Sequence, residues 1–372
     1  MNMILQRKQL GEIIKLEYGK PLPESERKFE GQYPVYGANG IKSHSDVSYV
    51  NHRSIIVGRK GSAGELNLTE EKFWPLDVTY FVTFDEKKYD LGFLYRLLTS
   101  LNLPKLAKGV KPGLNRNDVY SISVKIPELI AEQKRIAQVI DAADALCQKR
   151  RQAIALLDDY LKSVLLEMFE KSNYPTLALE SLALEGRGTF SNGPFGSDLL
   201  CSELVKDGVP VVYIRDIRNG SYEWKSDVYV TTEKAQHLSA CQIKKGDLLI
   251  TKVGDPPGIC AVYPNDELAI MTQDVIRLRT TDIVNNVYLQ HWLNSSLGKH
   301  VLKGIIIQGT RMRFSLKSFK KLKVPVPPIE HQDKFATIVD QVENVKKHML
   351  TQSEELENQF QALMQKAFKG DI

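Results

Sequence analysis

Two segments of the chain, residues 102–127 and 299–329, are rich in lysine and arginine. The first contains five basic residues and one acidic residue, and the second contains eight basic residues and no acidic one. Such side chains neutralise the phosphates of nucleic acids, although a charged segment is usually only a solvated surface. The candidate phosphate ligands are Lys105, Lys108, Lys111, Arg116, Arg311, Arg313 and Lys317.

Side chains that can recognise bases occur in turns and glycine-rich segments of both halves of the chain. Arginine forms paired hydrogen bonds with guanine, and asparagine or glutamine does so with adenine. Each of these residues could instead cap a turn, which is a purely structural role. Because the segments differ strongly between the halves, we expect the halves to recognise different bases. The candidates are Tyr36, Asn39, Lys42, Arg59, Lys60, Asn192, Arg215, Arg218, Lys252 and Gln273.

The sequence contains no complete motif for catalysis. Residues 255–258, DPPG, have glycine where the DPPY motif of amino-methyltransferases has an aromatic residue that stacks on a flipped base. Residues 223–225, EWK, resemble part of a metal-nuclease motif but lie in a polar, turn-like segment. No phosphate-binding GxxxxGK(S/T) motif occurs, and the histidines and cysteines lack metal-ligand spacing. We therefore predict no catalytic residue, no metal site and no cofactor bound by this chain.

The composition indicates a globular protein of two or three domains. The 372 residues are 42% hydrophobic and 26% charged, and the formal net charge is +5. This charge is too small to identify a partner, so the positions of the basic residues matter more than their number. The sequence has neither a run of about 18 apolar residues nor a signal-peptide pattern. We expect a cytoplasmic protein without membrane contact.

A repeat of about 200 residues relates the two basic segments. Residues 109–114, GVKPGL, correspond to residues 309–314, GTRMRF, and each precedes a short β-like run that ends in proline. Further along both copies, seam positions recur with alternating gaps of 4 and 3, which is the coiled-coil pattern. The predicted seam includes Ile136, Ile140, Leu157, Leu161, Val339, Val342, Leu356 and Phe360.

The repeat predicts an α+β fold with internal pseudo-two-fold symmetry. Two α/β domains are each followed by a long helix, and we expect these helices to form an antiparallel coiled coil in which Leu157 faces Lys346. Two unrelated domains with ordinary amphipathic helices are the alternative. The predicted boundaries are residues 1–128 and 172–328 for the domains and residues 129–171 and 329–372 for the helices.

Several motifs resemble the specificity subunits of type I restriction–modification systems. They are YPVYGANGI at residues 33–41, IIVGRKGSAG at residues 55–64, KKGDLLITKVG at residues 244–254, and the proline-to-glutamine helix starts at residues 127–133 and 328–332. The resemblance covers nearly the whole chain. The second helix start has His331 where the first has Glu132, which is a departure from the pattern.

The resemblance implies a non-catalytic subunit that recognises a bipartite site in double-stranded DNA, with a nonspecific gap between two half-sites. It also implies that the chain docks two methyltransferase subunits and joins restriction subunits, with AdoMet and ATP bound by those partners. A coiled-coil scaffold for protein interactions is the alternative, and a self-contained DNA methyltransferase or nuclease is less favoured. Enrichment of particular sequences from a random pool of DNA duplexes would distinguish a DNA reader from a scaffold.

Overall fold

The computed structural model describes residues 5–69, 72–170 and 174–369 and divides into two compact units. Unit 1 comprises Met1–Gln152 and Met349–Ile372, and unit 2 comprises Ala153–His348. The predicted junction between the first long helix and the second recognition domain, at residues 171–172, lies outside the described residues.

Unit 1 is built on a four-stranded antiparallel sheet in the order β2-β8-β5-β6. A second sheet has the order β4-β3-β7, and β1 pairs with β9. The strands are β1 (Leu5–Gln9), β2 (Ile14–Tyr18), β3 (Tyr33–Gly37), β4 (Gly40–Ser45), β5 (Ile55–Gly58), β6 (Leu66–Leu68), β7 (Trp74–Pro75), β8 (Thr79–Phe84) and β9 (Ser123–Pro127). The helices are α1 (Leu10–Ile13), α2 (Leu91–Ser100), α3 (Arg116–Tyr120) and α4 (Ile130–Glu170), the last of which continues into unit 2.

The central strand of this sheet, β5, reads IIVG and is buried throughout, as expected for β-branched residues covered on both faces. Helix α2 contributes Phe93 and Leu97 to the same core as Ile55 and Val57. It begins at Asp90, whose carboxylate accepts a hydrogen bond from the amide of Phe93 at 2.9 Å. A short polar cap therefore positions the helix that covers the sheet.

Unit 2 contains a corresponding four-stranded antiparallel sheet in the order β11-β21-β18-β19. A five-stranded sheet, β12-β16-β13-β20-β17, and the pairs β10-β22 and β14-β15 also belong to this unit. The strands are β10 (Thr176–Ala178), β11 (Phe190–Asn192), β12 (Leu204–Val205), β13 (Val209–Val212), β14 (Ile217–Arg218), β15 (Ser221–Tyr222), β16 (Tyr229–Val230), β17 (Gln242–Ile243), β18 (Leu248–Thr251), β19 (Cys260–Val262), β20 (Ala269–Met271), β21 (Val275–Leu278) and β22 (Lys323–Pro325). The helices are α5 (Thr232–His237), α6 (Asn286–Asn294), α7 (Ser296–Lys303), α8 (Leu316–Lys320) and α9 (Ile329–Lys369), and the end of α9 belongs to unit 1.

The two four-stranded sheets have the same connectivity, which is the structural form of the repeat. In chain order, the first strand of each sheet (β2 or β11) pairs with the last (β8 or β21). The last strand also pairs with the second (β5 or β18), and the second strand forms a hairpin with the third (β6 or β19). Helix α6 of unit 2 corresponds to α2 of unit 1. The side chain of Asn285 caps it by accepting a hydrogen bond from the amide of Val287 at 2.9 Å.

The helices α4 and α9 contain 41 residues each, a length of about 60 Å at 1.5 Å per residue. Within unit 1, the start of α4 shares a core with the end of α9, where Ile136 and Ile140 cluster with Phe360 and Met364. Arg151, which lies further along α4, forms a hydrogen-bonded ion pair of 2.6 Å with Glu357, which precedes Phe360 in α9. The two helix segments of unit 1 therefore run antiparallel.

Within unit 2, the end of α4 shares a core with the start of α9, where Leu161 clusters with Val339 and Val342. Lys346 forms a 2.6 Å ion pair with Asp158, next to the residue that we predicted it to face. The eight predicted seam residues are all buried or half-buried. No helix in residues 5–69, 72–170 and 174–369 is long and apolar enough to cross a membrane.

Candidate nucleic-acid interface

Each unit places a glycine-rich loop against a basic hairpin. The loops follow the central strands β5 and β18, and the hairpins precede the short helices α3 and α8. Both kinds of segment contain predicted DNA contacts. The four segments are glycine loop 1 (residues 58–64), basic hairpin 1 (residues 108–113), glycine loop 2 (residues 251–258) and basic hairpin 2 (residues 307–313).

In unit 1 backbone hydrogen bonds join glycine loop 1 to basic hairpin 1. The amide of Gly61 donates to the carbonyl of Pro112 at 3.0 Å, and the amide of Leu114 donates to the carbonyl of Arg59 at 2.9 Å. The candidate base readers of the loop and the candidate phosphate ligands of the hairpin therefore lie on one continuous segment of surface.

In unit 2 the same connection joins glycine loop 2 to basic hairpin 2. The amide of Gly254 donates to the carbonyl of Met312 at 3.1 Å, and the amide of Phe314 donates to the carbonyl of Lys252 at 3.4 Å. These two hydrogen bonds correspond to the two in unit 1. The backbone connection is therefore shared by the units, although their side chains differ.

Basic hairpin 2 and glycine loop 2 line a cavity of about 570 Å³. Its polar lining includes Arg311 and Arg313, the carboxylate of Asp274 and the amide of Gln308. Both arginines are exposed. Two guanidinium groups beside an amide provide donors for phosphates and base edges.

Two arginines of unit 1 share one aromatic ring. The guanidinium carbons of Arg59 and Arg116 each lie 5.2 Å from the ring centroid of Tyr18, the last residue of β2. The Tyr18 ring contacts that of Tyr80 at a centroid distance of 5.1 Å. Burial, followed by the neighbouring Tyr18, raises the pKa of Tyr80 to about 12 against the opposing effect of the two arginines, so Tyr80 is neutral at physiological pH. Tyr18 is not among the contacts predicted from the sequence.

The main chain passes so close to Gly19, which follows β2, and to Gly193, which follows β11, that neither position has room for a side chain. A Cβ atom on Gly19 would lie 2.1 Å from the carbonyl oxygen of Leu76, and one on Gly193 would lie 2.1 Å from the carbonyl oxygen of Thr272. Side-chain carbons cannot approach backbone oxygens so closely, so only glycine fits. The last residues of β2 and β11 are thereby held at equivalent positions.

The structure gives two of the predicted base readers structural contacts. Tyr36 is only 4% exposed and packs edge-on against Phe73, so its ring offers no surface to a base. The guanidinium of Arg215 donates to the hydroxyl of Ser226 at 2.8 Å and lies over the ring of Tyr213. We therefore leave Tyr36 out of the proposed interface, because its side chain lies in the hydrophobic core of unit 1.

The other predicted contacts remain available to a ligand to different degrees. Lys108 is exposed and forms an ion pair of 2.7 Å with Asp118. The amide oxygen of Asn192 is buried without a hydrogen-bond partner among the described residues. Arg59, Asn192 and Lys252 are half-buried, and the exposed candidates are Asn39, Lys42, Lys60, Lys105, Lys111, Arg116, Arg218, Gln273, Arg311, Arg313 and Lys317.

Not all of these candidates lie together. The turn that contains Asn39 adjoins glycine loop 1, because a Cβ on Gly58 would lie 3.0 Å from the carbonyl oxygen of Ala38. Arg215 and Arg218 lie instead at the small β14-β15 hairpin of unit 2. The basic hairpins, which the repeat singled out, are the part of the prediction that the structure brings next to the loops.

A fully buried glutamine joins the start of α4 to unit 1. The side-chain amide of Gln133 donates to the carbonyls of Lys88 and Pro127, each at 3.0 Å. Its side-chain oxygen accepts a hydrogen bond from the amide of Asp90 at 3.0 Å. One side chain therefore links the long helix, the end of β9 and the N-cap of α2.

Gln332 makes the corresponding contacts in unit 2 and is also fully buried. Its side-chain amide donates to the carbonyls of Pro327 at 2.7 Å and Ile283 at 3.2 Å, and its oxygen accepts from the amide of Asn285, the N-cap of α6, at 2.8 Å. The glutamine of the proline-to-glutamine motif is therefore a structural residue in both units.

A family model for the type I restriction modification DNA specificity domain matches residues 5–156 and 201–358. The chain belongs to this family. Its members recognise DNA, so the chain is the DNA specificity subunit of a type I restriction–modification system. As a specificity subunit it is not an enzyme and has no cofactor of its own.

Individual specificity subunits are similar over most of the chain. A putative type I restriction enzyme specificity subunit of Haemophilus influenzae is 25% identical over 340 residues, which cover 88% of this chain and 84% of the relative. The specificity subunit of the type I restriction enzyme EcoBI from Escherichia coli is 24% identical over 396 residues, which cover 95% of this chain and 80% of the relative.

Solved structures confirm the predicted fold class. The S subunit of a type I restriction–modification system from M. genitalium matches with a TM-score of 0.58 at 17% identity, covering 99% of this chain and 96% of that chain. A chain from a structure of complex assembly and conformational transition of the type I R-M system matches with a TM-score of 0.64 at 15% identity, covering all of both chains. These matches concern the fold.

Proposed function

We propose that this specificity subunit recognises a bipartite site in double-stranded DNA, with one half-site for each unit and a nonspecific gap between them. The observation that carries the proposal is the matched connection of glycine loop and basic hairpin in the two units. Phosphate contacts place a protein on DNA, and contacts with base edges provide specificity. A hairpin with basic side chains, beside a loop whose sequence differs between the two units, supplies both.

The proposed phosphate ligands lie on or near the two hairpins. Within them, Lys111 and Arg311 occupy corresponding positions of the repeat, and both are exposed. We propose recognition domains at residues 1–128 and 172–328, with spacers at 129–171 and 329–372. The proposed phosphate ligands are Lys105, Lys108, Lys111, Arg311, Arg313 and Lys317. Arg116, the remaining residue of the sequence-based set, lies over the ring of Tyr18 and is considered together with that ring below.

We also propose that the long helices set the gap as an antiparallel coiled coil and dock two methyltransferase subunits, which restriction subunits join. Leu146, Leu156 and Tyr160 support a docking role because they are apolar residues of α4 that remain exposed. AdoMet and ATP would then be bound by those partner subunits. We also propose that the chain acts in the cytoplasm, where the DNA and the partner subunits proposed for it would lie.

Replacing Arg311 by alanine tests the proposed phosphate role. We expect weaker binding to all DNA sequences, with the slope of log affinity against log salt reduced by about 0.9, the contribution of one phosphate. The measurement is fluorescence anisotropy with a labelled duplex at several salt concentrations.

Lys245→Ala provides the matched control in the same unit. Lys245 is exposed and pairs with Asp266, and it precedes β18, whereas glycine loop 2 begins at the other end of this strand. Its salt slope should equal that of the unmodified chain. An unchanged slope for Arg311→Ala would contradict the phosphate role, and an altered base preference would make Arg311 a base reader instead.

A further inference from the structure

Tyr18, Arg59 and Arg116 form a cluster in unit 1 whose contacts suit a ligand rather than the core. Tyr18 is 45% exposed although it packs on Tyr80. The guanidinium carbons of both arginines lie 5.2 Å from the centre of its ring. The aromatic ring therefore holds two cationic groups at the protein surface.

No carboxylate among the described residues compensates the charges of this cluster. In the described part of the molecule, neither guanidinium forms an ion pair with a carboxylate, and the Nε of Arg59 is buried without a hydrogen-bond partner. Both guanidinium carbons lie 5.2 Å from the centroid of the Tyr18 ring, so they are at most about 10 Å from each other. This separation does not exceed the screening length at 0.1 M salt, so the two positive charges repel each other. A ligand rich in hydrogen-bond acceptors would relieve the repulsion between them.

The backbone identifies the position in unit 2 that corresponds to Tyr18. Tyr18 pairs with Tyr80 across the β2-β8 ladder, and Asn192 pairs with Ile276 across the equivalent β11-β21 ladder. The amide of the next residue donates at 3.1 Å to the carbonyl of Thr79 in unit 1 and of Val275 in unit 2. Asn192 therefore occupies the place of Tyr18.

Arg59 and Arg116, the other two residues of the cluster, also have counterparts in unit 2. The amide of Arg59 donates to the carbonyl of Val78 at 2.9 Å, and the amide of Lys252 donates to the carbonyl of Asp274 at 2.8 Å. Arg116 is the first residue of α3, as Leu316 is of α8. Unit 2 thus presents Asn192, Lys252 and Leu316 where unit 1 presents Tyr18, Arg59 and Arg116.

This replacement distinguishes a base-reading site from a phosphate site. Phosphates are the same at every half-site, so a residue that binds them can be kept, as the positive charge is kept at Lys111 and Arg311. At the cluster, by contrast, Tyr18 and Arg116 are replaced by Asn192 and Leu316. Lys252 keeps the positive charge of Arg59 but lacks its guanidinium fork, as expected for positions that recognise different bases. An arginine fork pairs with the O6 and N7 atoms of guanine, and stacking on Tyr18 holds the fork in place.

We infer that Tyr18, Arg59 and Arg116 together form a base-reading site of unit 1 and that this site recognises a guanine in the half-site of that unit. The inference rests on the proposed function, since it names bases for the DNA-reading surface of unit 1. In this arrangement Arg59 contacts the guanine edge, Arg116 supplies the second donor group, and Tyr18 positions both.

Arg59→Lys is the sharpest test because it keeps the positive charge and removes the fork. The variant is assembled with the methyltransferase subunits, and its binding sites are selected from a random pool of DNA duplexes and sequenced. We expect the preference for guanine at one position of one half-site to fall roughly 10- to 100-fold. The other half-site, the gap and the salt slope should not change.

The triple variant Tyr18→Asn, Arg59→Lys and Arg116→Leu installs the residues of unit 2 and should alter the same half-site alone. Lys105→Ala is the control, for which weaker binding without altered base preference is expected. Thermal unfolding verifies that each variant is folded, and Arg59→Lys remains informative if the triple variant is not.

Two outcomes would overturn the inference while leaving DNA recognition intact. If Arg59→Lys keeps the selected sequence and Arg59→Ala lowers the salt slope by about 0.9, the cluster binds a phosphate. If neither variant changes selection or affinity, the cluster is structural. A failure of the unmodified assembly to select any sequence would instead contradict the proposed function.

Discussion

Replacing Gln133 by alanine is expected to lower the free energy of unfolding of unit 1 by about 3 kcal/mol. The change leaves the carbonyls of Lys88 and Pro127 without their donor and the amide of Asp90 without its acceptor. Each buried polar group left without a partner costs about 1–3 kcal/mol, and entry of water offsets part of the sum. Urea denaturation measures the loss, and hydrogen–deuterium exchange locates it at the start of α2.

Gln138→Ala is the matched control, because Gln138 is exposed on the same helix, and it should change stability by less than about 0.5 kcal/mol. Gln332→Ala should reproduce the effect in unit 2, with Gln341→Ala as its exposed control. Gln133→Glu keeps the side-chain shape but removes both amide donors, so it should also destabilise unit 1. Equal stability of Gln133→Ala and Gln138→Ala would contradict the structural role of this glutamine.

Gly19→Ala and Gly193→Ala are expected to cost about 3 kcal/mol or more in their respective units, as severe overlap with backbone does. The new methyl group would lie 2.1 Å from a carbonyl oxygen that belongs to the main chain and cannot rotate away. The strand end would have to move, and it carries Tyr18 in unit 1 and Asn192 in unit 2. We therefore also expect a loss of affinity for DNA of more than about tenfold.

Gly196→Ala is the control for this prediction, since nothing lies within 4 Å of a Cβ at that position. Thermal unfolding and anisotropy with a labelled duplex measure the two effects. Wild-type stability of Gly193→Ala would show that β11 does not approach the main chain at Thr272 as described.

The long helices and the repeat were predictable because their signals are local and extend over many residues. The heptad spacing of the seam recurs over about nine helical turns in each copy, so it survives the divergence of individual positions. The basic segments were equally visible, since both copies precede a proline-ended strand. The short strands of unit 2, such as β12 and β14 with two residues each, have no such periodic signal.

The candidate site was less predictable because it depends on contacts between residues distant in sequence. Tyr18 meets Arg59 and Arg116 only after β2 has paired with β8. Tyr36 lies in the glycine-containing segment that suggested a reader, but its ring packs in a buried cluster with Phe73 and Phe81, which are distant in sequence. The glutamine motif was recognised as a pattern, whereas its role depends on carbonyls of another part of the unit.

Selection of binding sites by the complete assembly tests the central claim, that two units recognise two different half-sites. The chain, together with its methyltransferase subunits, is incubated with a random pool of DNA duplexes, and the bound fraction is sequenced. We predict two dissimilar short motifs at one fixed spacing, separated by positions without base preference. A single continuous motif, two identical half-sites, or no enrichment over the starting pool would contradict this account.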